Sequence, residues 1–354
     1  MQLSMGADDD AAAFIDAATG GSLSFSGLRR AALSLASGLR LGLGLRRGDT
    51  VLVVSRNSLL LPQILVGVLA AGGVVVAADP DATAPEIAAA AAHATMVVAD
   101  APLGFAGDVG VPLLLTSRSL DPRGPLLSAE ELIDGGDPTE AHAHLPEPDA
   151  DVVAAISSGG GRRVCVTSLP MCSAHGLALI ALGLPAAGVT TVLLDPSDEG
   201  ALREAVAKHA ATDVVAAPEA AATLLAAGPG ASLASLRRLL IVAPTPLTPE
   251  ARHQFRRRLP WVHVTGLPTQ TTAAAGTHNS QQQPAQHTNE VSLSQSYRTH
   301  QLHIYIYMRC ILVLVPSLKK IQKIVLGDIF SRSTARKIFR NHPATGNTQV
   351  VSKL

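Results

Sequence analysis

TVLVVSRNSLLLPQILVGVLAAGGVVVAADP, residues 50–80, is the stretch that decides the fold class. It follows the turn signal Arg47-Gly48-Asp49 and opens on a β-branched run, 50–55. An Ala/Leu-rich run at 59–71 comes next and stops at Gly72-Gly73. A second β-branched run, 73–78, closes on Asp79-Pro80. Near-continuous apolar runs of this length suit strands buried on both faces, and the middle piece is long enough for a helix. Strand, helix and strand in this order make a parallel crossover unit.

The same alternation continues outward. A helix is expected at 84–93 and a strand at 95–99. Later strands fall at 151–156, 190–195, 212–217 and 239–243, with helices at 176–184, 199–209 and 219–226. The expected class is α/β, with parallel sheets flanked by helices on both faces. Residues 102–148, rich in Pro, Asp and Gly, read as loops around one short strand at 111–116. There is no fixed-period repeat.

The chain has 354 residues, 47% hydrophobic, 16% charged and 3% aromatic, with 28 basic and 28 acidic side chains. That length holds about two domains or one large one. High apolar content with low charge excludes global disorder. Zero net charge argues against a nucleic-acid partner held by bulk electrostatics. The average conceals a break near residue 277. Ten basic and two acidic residues leave 277–354 at +8 and the preceding part at −8. This tail holds all three Tyr and five of the six Lys, yet only three Ala. Its Lys and Arg are dispersed and no nucleic-acid motif accompanies them. Its longest apolar stretch, 302–315, is interrupted by His303 and Arg309. A membrane span needs about 20 apolar residues, so none is expected, and 304–307 reads as strand. Asp8, Asp9 and Asp10 stand where a secretory signal would be basic and then apolar, so no such signal is expected. Cys165, Cys172 and Cys310 are too few and too unevenly spaced for a disulfide framework; Cys165 and Cys172 are expected in the core.

In an open parallel sheet, ligands bind at the carboxyl ends of the strands. The candidate is Ser157-Ser158-Gly159-Gly160-Gly161-Arg162-Arg163, after the strand expected at 151–156. Glycines let backbone N–H groups approach phosphate oxygens, while serine hydroxyls add donors and arginine adds charge. Alone, such a turn is more often just a turn, and it matches neither GxxxxGK[ST] nor GxGxxG.

The order of segments adds to this. LGLRRGDTVLVVSRNS (43–58), anchored on Gly48, Asp49 and Asn57, precedes GVLAAGGVVVAADP (67–80). The Ser/Gly loop follows, then LPMCSAHGLAL (169–179) and SLRRLLIVAPTPLTPEARHQFRRRLP (235–260). VTGLPTQTTAAAG (264–276) and LKKIQKIVLGDIFSRSTARKIFR (318–340) complete the series. In this order the segments resemble the acyl-adenylate-forming (AMP-binding) superfamily, most closely its plant 4-coumarate–CoA ligase-like branch. LPMCSAHGLAL is similar to that family's LPMFHxYGL, and 264–276 to its GQGYGMTEA. The resemblance implies a large N-terminal adenylation domain and a small C-terminal α+β domain. It implies ATP, Mg²⁺ and coenzyme A as co-substrates, and a small carboxylic acid that is adenylated and then joined to coenzyme A. Ser157, Ser158, Gly159, Gly160, Gly161, Gly266, Leu267 and Thr271 then fall at the ATP site. His175 and Thr245 fall at the acid pocket, and Lys337 at the catalytic lysine.

The sequence departs from the family's pattern at chemical positions. Gly160 and Gly161 replace the Thr-Thr pair of the phosphate loop. Cys172 and Ser173 replace the aromatic residue and histidine of PMFH. Pro268 aligns with the adenine-packing tyrosine and Thr272 with the glutamate that helps hold Mg²⁺. A register one residue over puts Leu267 and Thr271 there instead, again without a carboxylate. Arg336 stands before Lys337 in place of a glycine. A helix and strand after the phosphate loop, and the stretch carrying the ribose-binding aspartate and hinge, have no counterpart.

The expected organisation is a truncated adenylation domain at 1–276, an unrelated low-complexity insert at 277–315 and a C-terminal-domain remnant at 316–354. The leading expectation is an acid–CoA ligase. A catalytically dead remnant that binds at most a nucleotide or a partner is the alternative, and a mis-joined gene model is a third reading, favoured by the break near 277. Ser352-Lys353-Leu354 reads as a peroxisomal address, with the cytoplasm as the alternative, and a monomer is expected. His142 and His144 with Glu140 lack metal-ligand spacing and read as a solvated loop. Arg256-Arg257-Arg258, with Arg252, reads as the exposed face of a helix capped near Thr248.

Overall fold

The computed structural model describes residues 10–268, except 104–109, 120–125, 141–142, 148–161, 174, 197, 199–200, 227–232 and 244–245. The chain enters through an antiparallel pair, β1 (Ala12–Asp16) and β2 (Ser22–Ser24), and turns into helix α1 (Phe25–Ser37). Ser24 caps this helix: its Oγ accepts the Gly27 N–H at 3.0 Å, satisfying an orphan donor of the first turn. Phe25, Leu28, Ala32 and Leu35 recur at helical spacing and bury one face. A π-helical turn, Gly38–Gly42, follows.

Residues 50–78 form the crossover read from the sequence: β3 (Thr50–Val54), α2 (Leu60–Ala70) and β4 (Val74–Ala78). Helix α3 (Ala84–Ala91), β5 (Met96–Ala99), β6 (Leu113–Leu115) and α4 (Ala129–Gly135) complete this half. The sheet is parallel throughout, in the order β4-β3-β5-β6. Strand side chains alternate between faces. Val51, Val53 and Val98 therefore point into one buried layer, and Leu52, Val54 and Val97 into another that α3 covers with Ile87 and Ala91.

The second sheet has seven strands. It adds β7 (Val164–Thr167), β8 (Thr190–Leu193), β9 (Asp213–Ala216), β10 (Arg238–Ala243) and β11 (His263–Pro268), in the order β11-β10-β9-β7-β8-β1-β2. All its pairs are parallel except β1–β2. A π-helical run, Gly176–Gly183, passes into one α-turn, Leu184–Ala186. Helices α5 (Ala201–Lys208), α6 (Pro218–Ala226) and α7 (Pro249–Arg258) cover the outer face. There Val166, Val214 and Ile241 meet Leu202, Leu224 and Phe255. On the inner face Cys165, Val215 and Val242 join α1, α2 and the π-helical run, the layer that also receives the first sheet. Gly67 permits the close approach of α1 and α2, since a Cβ there would lie 2.7 Å from Leu35 Cδ2.

One ion cluster ties three neighbouring strands at their amino ends. Asp213, almost fully buried, accepts from Arg163 Nε and Nη2 at 3.2 and 3.1 Å, from Arg238 Nε at 2.6 Å and from the Thr212 hydroxyl at 2.7 Å. The carboxylate thus joins the starts of β7, β9 and β10.

The α/β expectation holds, with particular corrections. The stretch 102–148 was expected to be loops around one strand. Strand β6 lies there, but α4 does as well, begun by a reciprocal cap between Ser128 and Glu131. The helix expected at 176–184 is π-helical over most of its length. Thr248 caps α7 as expected, accepting from the Ala251 N–H at 3.2 Å, and Arg256, Arg257 and Arg258 are exposed. Cys165 and Cys172 are core residues. The strand expected at 151–156, that at 304–307, and the C-terminal-domain remnant lie outside the described residues. Among the described residues no helix is long and apolar enough to cross a membrane.

Asp213→Ala leaves two largely buried guanidinium groups without their carboxylate. It is expected to lower unfolding free energy by about 3–5 kcal/mol, measured by urea titration.

Candidate functional site

Five parallel strands, β7 to β11, end on one edge of the large sheet, and the loops beyond them form the candidate site. The loop after β7 is tied down by side-chain hydrogen bonds. Thr167 Oγ1 accepts the Leu169 N–H at 3.1 Å as the chain leaves the sheet. The Asn57 side chain, from the loop after β3, then spans the next peptide units. Its Nδ2 donates to the Leu169 carbonyl at 2.9 Å and its Oδ1 accepts the Met171 N–H at 2.9 Å. Nδ2 also lies 3.4 Å from the Leu194 carbonyl at the end of β8.

The loop closes on itself next. Ser173 Oγ donates to the Pro170 carbonyl at 2.8 Å and accepts the Gly176 N–H at 2.9 Å. Gly176 packs against the same carbonyl, and a Cβ on it would fall 2.1 Å from Pro170 O. His175 stands at the amino end of the π-helical run, half-buried. π-Helical turns are rare and often accompany functional sites.

Gly266 and Leu267 lie on β11, paired in register with Ile241 and Val242. A Cβ on Gly266 would meet Leu247 Cδ1 at 2.9 Å, so Leu247 lies close over the backbone there. Three inter-strand steps separate β7 from β11, roughly 14 Å at the usual spacing. His175, on the loop that follows β7, and Gly266-Leu267, near the end of β11, thus belong to the carboxyl edge of one sheet. Ser157, Ser158, Gly159, Gly160, Gly161, Thr245, Thr271 and Lys337 lie outside the described residues. Ser173 has a role that motif matching did not give it: the capping hydroxyl just described. The spacing Ser173…Gly176 before an apolar run is the sequence signal for it.

Cys172, within this loop, is buried, its thiol pushed up to about 12 by desolvation. Its Sγ approaches the Val53 carbonyl at 3.8 Å. It is a packing residue between the sheets, protonated at neutral pH and so without nucleophilic character. Glu140, weighed in the sequence as a metal ligand, pairs with Arg40 at 3.5 Å. Among the described residues no three His, Cys, Asp or Glu side chains are grouped to hold a metal ion. A cavity of about 220 Å³ opens beside α5, lined by Ala17, Leu194, Asp195, Glu204, Lys208 and His209 among others. Of the site residues read from the sequence, the described ones, His175, Gly266 and Leu267, do not line it.

The family model described as AMP-binding enzyme matches residues 3–145 and 142–304. The chain is 29% identical over 326 residues to 4-coumarate–CoA ligase-like 3 of Oryza sativa subsp. japonica, covering 77% of this chain and 55% of that protein. It is 27% identical over 314 residues to peroxisomal OPC-8:0-CoA ligase 1 of Arabidopsis thaliana, covering 75% and 56%. The chain therefore spans about half the length of the curated relatives it matches. Among solved structures, ATP-bound MatB from Rhodopseudomonas palustris superposes with a TM-score of 0.60 at 20% identity, over 76% of this chain and 59% of that one. A long-chain-fatty-acid-CoA ligase from Archaeoglobus fulgidus gives 0.61 at 17%, over 75% and 62%. These structures share the fold.

Gly176→Ala is expected to cost about 1–3 kcal/mol in urea unfolding, because the new methyl meets backbone that has little room to move. Gly42→Ala, whose Cβ meets nothing within 4 Å, serves as the control and is expected to stay within about 0.5 kcal/mol of the unmodified chain.

Proposed function

Because the chain belongs to the AMP-binding enzyme family, we propose that it carries the ATP-using half of an acid–CoA ligase and acts on a small carboxylic acid. The observation that carries this reading is the sharing of one sheet edge by the His175 loop and the Gly266-Leu267 strand end. In the family these are the acid and adenine sides.

The family resemblance implies the chemistry. A carboxylate oxygen attacks the α-phosphorus of ATP, an acyl–phosphate bond forms, and pyrophosphate leaves. The sulfur of coenzyme A then attacks the acyl carbon, the bond to AMP breaks, and the thiol proton passes to solvent. The first step brings anions together, so fixed positive charge and N–H donors aimed at the phosphates supply the catalysis. In this reading Ser157, Ser158, Gly159, Gly160 and Gly161 cradle phosphate oxygens, and Thr271 adds a hydroxyl. Lys337 neutralises charge between carboxylate and α-phosphate, and His175 and Thr245 face the acid.

Mg²⁺ is held in such sites by a carboxylate together with substrate phosphates. Thr272 or Thr271 stands where the family places that carboxylate, so these residues do not fit a protein-held Mg²⁺. No step is assigned to one. The same departure favours a second reading, a chain that binds nucleotide without turning over. Ser352-Lys353-Leu354 supports a peroxisomal location, as does a relative named as peroxisomal.

ATP–pyrophosphate exchange with a panel of aromatic and fatty acids separates the two readings. The ligase reading expects acid-dependent exchange that falls at least ~100-fold in Lys337→Ala, the scale for removing one charge-stabilising group. ATP binding without exchange supports the second reading and rejects the first.

A further inference from the structure

Leu169 and Met171 flank Pro170, which has no N–H, at the point where the chain leaves β7. The strand has ended at Thr167, so the Leu169 carbonyl and Met171 N–H are beyond the sheet ladder. Asn57 supplies both partners at 2.9 Å from a single planar amide, and its Nδ2 also lies 3.4 Å from the Leu194 carbonyl. One side chain from the loop after β3 therefore closes backbone groups just beyond the carboxyl ends of two adjacent strands of the other sheet. Few residue types can do this. Aspartate has the acceptor but no donor, serine is too short to span two peptide units, and alanine has neither group.

The hold is passed along the loop. Pro170, fixed between the two anchored residues, offers its carbonyl to Ser173 Oγ, and Ser173 caps the turn that carries His175. Gly176 rests against that carbonyl with no space for a side chain. Leu169–Met171 is thus held by Asn57, and Ser173 is tied to both Pro170 and Gly176.

We propose that Asn57 is a positioning residue for the acid side of the site, holding the Leu169–Met171 turn so that the His175 loop keeps a binding geometry. This rests on the ligase reading above. Asn57 touches no reacting atom; it acts through the loop. Loss of the clamp is therefore expected to weaken the carboxylic acid far more than ATP.

The test uses the full chain with Asn57→Ala and Asn57→Asp, by hydrogen exchange at the Met171 amide and by exchange kinetics with acid and ATP varied separately. In Asn57→Ala the Met171 amide is expected to exchange ~10-fold faster, the factor for losing a hydrogen bond of about 1.4 kcal/mol. KM for the acid is expected to rise ~10-fold while KM for ATP stays within about twofold, as for a loss of binding confined to one substrate. Asn57→Asp keeps the acceptor, so the Met171 amide stays slow. Its carboxylate faces the Leu169 and Leu194 carbonyls, so acid KM still rises. Unchanged Met171 exchange in Asn57→Ala overturns the clamp, and acid and ATP KM rising together overturns the positioning role. If the unmodified chain shows no exchange with any acid, the ligase reading fails and the positioning role with it. The amide measurement then still decides whether the clamp exists.

Discussion

Val51, Val53 and Val98 of the four-stranded sheet and Cys165, Val215 and Val242 of the seven-stranded sheet enter the same buried layer. Helices α1 and α2 and the π-helical run fill the space between them, with Phe25, Leu35, Leu65 and Ile180 fully or almost fully enclosed. Each such side chain contributes about 1.5–3 kcal/mol relative to exposure. Neither sheet can bury its inner face without the other. The shared layer suits the parallel pairing of every strand pair but β1–β2, since crossover helices lie on the sheet faces. It also explains why Gly67 is needed where α1 and α2 touch.

Two polar devices complement that layer at opposite ends of the large sheet. At the amino ends, Asp213 draws Arg163 and Arg238 together and fixes the relative register of three strands. At the carboxyl ends, Asn57 reaches from the other sheet to backbone groups that the ladder cannot satisfy. The apolar layer sets how far apart the sheets lie, and the polar contacts set where particular loops stand. A site built at a strand edge needs both, because burial is non-directional and hydrogen bonds are not.

The crossover strands were legible because strands buried on both faces leave unbroken apolar runs, and 51–54 and 74–78 have them. Strand β7 was not, since Val164-Cys165-Val166-Thr167 is four residues long and follows two arginines. Strand β11 carries Gly266 and Pro268, which read as turn residues, and it is held as a strand by its parallel pairing with β10. Helix α1 had its signals, the Ser24 cap and the 25, 28, 32, 35 spacing, but Gly27 and its serines diluted them. Helix α4 had a capping box within a segment whose composition suggested loop. The Asp213 cluster joins residues 25 and 50 positions apart, and no local pattern announces it. The place of His175 was legible only through resemblance to known sequences. The role of Asn57 depends on partners more than 110 residues away, so it became visible only in the folded chain.

One shared apolar layer makes the two sheets a single cooperative unit. Guanidinium unfolding of the full chain, read by pulsed hydrogen exchange at 51–54 and 96–99 in one sheet and at 164–167 and 213–216 in the other, tests it directly. A shared layer requires all four segments to lose protection at one midpoint, as in an all-or-none transition. Two separate midpoints, with one sheet still protected after the other has opened, would contradict the account.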